Sequence, residues 1–295
     1  MISTPDRSRG LLLMIGAGLC WSTGGLLVRS TTLTDGWEIV FWRSLAMVLS
    51  LGIILVVWHR GGVFAKFRHV GVWGVITGAF LAMTFFFFII ALTRTTVANT
   101  LVTMSIMPFI AALLGWAVLK EPIAPRTWAA MAAAALGLII MFADSLRGDG
   151  FVGMMIALGV PLAFAANLIV VRHHAGEVDM VPTVVIAGVI SLVVALPLAL
   201  PLEASLHDIA VLSVMGAVQL GLGCMFMTLA ARYLSAAEVG LLSLLETTLG
   251  PVWVWLGIGE RPSDVALIGG LMVVGALTLN GLFGVFQERW RLPAE

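Results

Sequence analysis

Glu246 stands in the middle of an apolar run covering 236–258, with Ser243, Thr247 and Thr248 beside it. A carboxylate placed there can hold an ammonium group or carry a proton; as a structural acid it would bond to neighbouring hydroxyls and backbone instead. Arg43 is the single basic residue within the apolar runs away from their ends. It can meet a carboxylate, or it can pair with Glu38 five residues earlier or extend to the interface. Asn99 and Thr103 in one run, Asn167 in another and Gln219 in a third offer amides and hydroxyls. Such groups bond either a ligand or a neighbouring helix. Trp21 and Ser22 fall midway along the first run, too deep for an interfacial belt, so Trp21 walls a cavity or fills the core.

Other chemistries lack their residues. No His-Glu-x-x-His occurs, nor a Gly-x-Ser-x-Gly with a histidine at depth, and all five histidines lie in or near loops. No Gly-x-x-x-x-Gly-Lys loop offers a nucleotide site. An enzyme is therefore not expected, nor a cofactor or metal. Cys20 and Cys224 read as small apolar packing. The net charge of zero gives nucleic acid no handle. A small-molecule substrate and the lipid bilayer remain as partners.

The elements that must position these residues follow from composition. Charged residues make up 11% of the chain and hydrophobic ones 60%, with a mean hydropathy of +1.08. Ordinary soluble domains carry about 25% charged residues, so lipid is the solvent. A span needs about 20 apolar residues. Ten fit, numbered here 1 to 10: 10–29, 36–58, 70–92, 96–119, 127–143, 151–171, 180–200, 208–232, 236–258 and 265–286. With the N-terminus inside, the cytoplasmic segments carry 11 Lys and Arg and the outer ones 4, so both termini are expected in the cytoplasm, as in an inner-membrane protein.

An internal repeat organises the spans. Thr95-Thr96-Val97-Ala98-Asn99 opens span 4, which ends in Lys120-Glu121-Pro122; Ser235-Ala236-Ala237-Glu238 opens span 9, which ends in Gly259-Glu260-Arg261-Pro262, about 139 residues on. Five spans is an odd number, so the second half enters the membrane upside down. The reading is an all-α integral membrane protein: two inverted five-helix repeats, 1–147 and 148–295, around a central cavity, joined near Asp144 to Gly150. Pro108 and Pro251 interrupt spans 4 and 9 and read either as gating hinges or as static curvature. The Phe85 to Phe88 run reads as lipid-facing or packing, and the Gly- and Ala-rich runs of spans 5 and 10 as helix contacts within a monomer or across a homodimer.

This pattern resembles the drug/metabolite transporter superfamily, most closely its EamA-type branch. The likeness rests on Phe41-Trp42-Arg43-Ser44, on Met107-Pro108 with Lys120-Glu121, and on Leu245-Glu246, Pro251 and Gly259-Glu260. Span 4 departs from the branch by lacking a central Glu. Length and balance are most similar to bacterial aromatic or neutral amino-acid exporters of the YddG type. The resemblance implies alternating-access export of small neutral or zwitterionic metabolites, with multidrug export as the alternative.

Overall fold

The computed structural model describes residues 4–59, 62–120, 150–174 and 180–261, with parts of 125–140 and 264–279. Glu121, Pro122, Pro262 and the expected junction from Asp144 to Asp149 lie outside the described residues. Every regular element among the described residues is helical. Among the described residues, seven helices are long and apolar enough to cross a bilayer: Arg7–Arg29, Gly36–Trp58, Phe64–Leu92, Val97–Leu119, Phe151–His174, Leu206–Ala230 and Glu238–Ile258. They are spans 1 to 4, 6, 8 and 9. Shorter apolar helices, Pro182–Ala195 and Leu267–Ala276, stand where spans 7 and 10 are expected. Span 5 is described only in pieces.

Lipid supplies no hydrogen bonds, so interrupted helices are tolerated only inside protein or beside a cavity. The interruptions of spans 4 and 9 fall there. Span 4 divides into Val97–Met104 and Met107–Leu119, and Pro108 stands in the first turn of the second piece, where a missing N–H costs nothing. Span 9 divides into Ala236–Leu242 and Leu244–Ile258, so its break is at Ser243 and Pro251 lies within the second piece. The breaks touch: the Ser243 hydroxyl lies 3.5 Å from the Met107 sulfur. Span 3 begins earlier than expected, at Val63, and turns sharply at Gly71, whose φ of 56° and ψ of −146° suit only glycine.

Spans 4 and 9 run antiparallel. The start of span 4 meets the residue after the end of span 9, where the Val97 N–H donates to Glu260 (3.0 Å). Gly240, near the start of span 9, packs on Pro108 in the later half of span 4. The two helices also end alike: Lys120 and Gly259, 139 residues apart, both take the left-handed conformation at φ 58° and 74°. Their first turns match too, with Thr96 accepting the Asn99 N–H and Ser235 accepting the Glu238 N–H.

Span 8 carries a distortion that the sequence periodicity hides. Between Leu206–Val214 and Gly223–Ala230 it widens into a π-helix, Met215–Leu222. Single-turn π segments are costly and gather at functional sites. This one packs against span 2, where Gly216 sits on the backbone carbonyl of Arg43. A side chain there would drive the helices apart. Gly216→Ala is expected to cost about 1–3 kcal/mol through overpacking, read as a lowered melting temperature in detergent. Gly52→Ala, whose Cβ would meet nothing within 4 Å, should leave it unchanged or raise it.

Candidate functional site

The π segment and the close approach at Gly216 bring Gln219 to the same central space as Arg43. There the bundle encloses a small cavity of about 50 Å³, with room for only a few waters. Its wall is drawn from spans 1 to 4 of the first half and 6, 8 and 9 of the second. Four of the residues expected at the site meet in it: Trp21, Arg43, Gln219 and Glu246.

Arg43 is 1% exposed and has no acidic partner among the described residues. One Nη2 hydrogen donates to the Phe85 carbonyl (2.8 Å), and the guanidinium carbon lies 5.5 Å from the centre of the Phe85 ring. The cation–π contact recovers part of the lost hydration. The Arg43 Nε has no hydrogen-bond partner. The expected alternative, a pair with Glu38, does not form. Glu38 instead accepts the backbone N–H groups of Glu203 and Ala204, both at 2.7 Å, and the Trp42 indole at 3.2 Å. A buried cation without a counter-charge costs several kcal/mol, about 3–5 when a partner is stripped from it.

Glu246, 8% exposed, lines the same cavity with no ion pair to Arg43. The Gln219 Oε1 is buried with no hydrogen-bond partner. Gly24 leaves room for the Gln219 amide, whose nitrogen lies 2.8 Å from where a Cβ would sit. One cation, one carboxylate and one amide thus face a common space.

The rest of the wall is aromatic and apolar. Trp21 stands edge-on to Phe164, ring centres 5.9 Å apart. Phe85 and Phe88, expected to face lipid or pack, are buried and line the cavity. So do Phe164, Thr84 and Cys224. The sequence marked none of these as site residues, because a span apolar on every side points nowhere.

The other expected residues are placed elsewhere. Ser22 donates to the Leu19 carbonyl (2.8 Å) and accepts the Trp253 indole (3.1 Å), tying span 1 to span 9. Asn99 donates to the Thr95 hydroxyl (3.2 Å), and Thr103 back-bonds to the Asn99 carbonyl (2.7 Å), both within span 4. Asn167 donates to the Thr77 carbonyl of span 3 (2.9 Å), with its Oδ1 buried and unpartnered.

An arginine, an acid and an amide line one cavity in the middle of a bundle of apolar helices, an arrangement that transporters use. The model of the EamA-like transporter family matches residues 8–143 and again 151–282, and the chain belongs to that family. It is 25% identical over 275 residues to the Pseudopaline exporter CntI of Pseudomonas aeruginosa strain UCBPP-PA14, which covers 90% of this chain and 94% of that protein. The same exporter from strain PAO1 matches equally. A crystal structure of another protein, 18% identical, superposes with a TM-score of 0.69 over 95% of this chain and 99% of its own; the likeness is one of fold.

Gln219 separates structural from ligand roles. Its carbonyl oxygen has no hydrogen-bond partner among the described residues, so Gln219→Met removes an unsatisfied group and should hold or raise the melting temperature. The same variant should lower ligand binding about tenfold, the value of one good hydrogen bond. Thermal shift with and without ligand reads both.

Proposed function

We propose that this protein is a secondary exporter of small neutral or zwitterionic metabolites, amino acids first among them. The observation that carries the reading is Arg43, a buried cation that, like Glu246 in the same cavity, has no ion pair among the described residues. A substrate carboxylate supplies the missing counter-charge, and its ammonium group meets Glu246. Trp21, Phe85, Phe88 and Phe164 give an apolar or aromatic side chain its pocket. A phosphorylated substrate fits badly, since it wants several basic groups and the cavity offers one. The likeness to a protein named as a pseudopaline exporter supports outward movement of a metabolite.

Alternating access completes the reading. The cavity is too small for an amino acid in this conformation, so the halves 1–147 and 148–295 must move for a substrate to enter. The paired breaks of spans 4 and 9 support hinges there, with Pro108 at one of them and Pro251 two turns beyond the other. The charge distribution supports an inner-membrane location with both termini in the cytoplasm. Multidrug export has one observation in its favour, the aromatic wall beside Glu246, which suits a lipophilic cation. Arg43 repels such a cation at close range, and zwitterions are preferred for that reason.

Purified protein in liposomes, given a panel of labelled amino acids and amines with and without a pH gradient, tests this. Saturable counterflow of aromatic or neutral amino acids is expected, with weak movement of amines lacking a carboxylate. Flux of lipophilic cations without amino-acid flux would replace the reading with multidrug export.

A further inference from the structure

Three carboxylates tie the two halves together at one face of the bundle, the face that the charge distribution assigns to the outside. Glu260, just past span 9, accepts the N–H of Val97 at the start of span 4 (3.0 Å) and pairs with Arg29 at the end of span 1 (3.0 Å). Arg29 also donates to the Thr95 carbonyl (3.1 Å). Asp208, at the start of span 8, accepts both the N–H and the hydroxyl of Thr32, each at 2.7 Å. Glu38, at the start of span 2, accepts from Glu203 and Ala204 across the divide. Apart from the Arg29–Thr95 bond, which lies within the first half, these links cross from one half to the other.

The spans that carry these groups are cavity walls as well. Arg29 lies eight residues beyond Trp21, and Val97 seven before Met104. At 1.5 Å per residue each lies about 10–12 Å along its helix from the cavity. Between the two levels the helices are in close contact. A Cβ at Gly25 would strike Val97, and one at Gly250 would strike Leu101. Packing is close between the cavity and this face, and the carboxylates hold that packing in place.

We propose that Glu260, Asp208 and Glu38 form the outer clasp of the transport cycle: the cavity opens outward only when these bonds between the halves release. The inference rests on the alternating-access reading above. Each carboxylate caps backbone N–H groups that lose their partners on release, so the clasp opens as a unit rather than link by link. Spans 1, 4 and 9 separate when Glu260 lets go of Arg29 and Val97. Span 8, which carries Gln219 through the π segment, is freed when Asp208 lets go of Thr32.

Cys224 reports the state of the clasp, because its thiol lines the cavity. In a Cys20→Ala background it is the sole cysteine. Intact cells are treated with a charged, membrane-impermeant methanethiosulfonate, and the labelling rate is followed; inside-out vesicles are treated in parallel. Glu260→Gln keeps an acceptor for Val97 but loses the Arg29 pair, and Asp208→Asn weakens the Thr32 link. Each should speed labelling in cells several-fold, and the double variant more. Asp264→Asn, which removes the exposed partner of Arg261 at 3.2 Å, should leave the rate unchanged. Arg29→Gln breaks the same ion pair from the first half and reads the clasp should Glu260→Gln fail to fold. Unchanged rates in cells, or a gain confined to inside-out vesicles, would overturn the proposal. Labelling needs no substrate, so unchanged rates with intact amino-acid flux sink the clasp alone. Faster labelling without any flux sinks only the transport reading.

Discussion

A guanidinium held in the middle of a lipid-embedded bundle with no ion pair among the described residues is the constraint on which the rest of this structure turns. Water cannot reach it freely and hydrocarbon cannot solvate it, so the protein must surround it with whatever polar and aromatic groups it has. The Phe85 carbonyl and ring, drawn from span 3, do part of this. What they leave unsatisfied faces a cavity shared with Glu246 and Gln219. A core built for stability alone would have given Arg43 a neighbouring carboxylate, and Glu38 stands one turn away. That acid is committed to the backbone of the opposite half instead.

The geometry around Arg43 follows from deviations in helices that would otherwise be regular. The π segment of span 8 and the small Gly216 bring span 8 against the Arg43 backbone. The breaks in spans 4 and 9 meet each other, and Met107 and Glu246, on the cavity wall, lie within one turn of them. Irregular backbone in a membrane survives where protein or a wet cavity can take up its freed hydrogen bonds. Here the irregular points of spans 4, 8 and 9 converge on one place, so the cavity and the distortions are two aspects of a single arrangement.

Much of the architecture was legible in the residues. The spans could be counted because their composition excludes water. The antiparallel pairing of spans 4 and 9 could be read because their opening and closing residues match about 139 residues apart, with an odd number of spans per repeat. Glu246 and Arg43 stood out as charges among apolar neighbours, and the structure turns both to the cavity. The aromatic wall was not legible. Span 3 is apolar around its whole circumference, so nothing in its periodicity says that Phe85 and Phe88 turn inward. The π segment was also hidden, since its extra residue per turn leaves no mark on an evenly apolar helix. Ser22 and Asn167 were polar at the right depth yet bond to neighbouring spans, a choice set by which helix lies opposite.

The account stands most directly on the role of Arg43, and a binding cycle tests it. Affinities of the purified protein for an aromatic amino acid and for the amine lacking its carboxylate are compared, in the wild type and in Arg43→Gln. The wild type should prefer the amino acid by about tenfold or more, the value of a charge-assisted contact, and the variant should bind the two alike. An equal preference in both proteins would contradict the account, since the carboxylate would then be recognised somewhere other than Arg43.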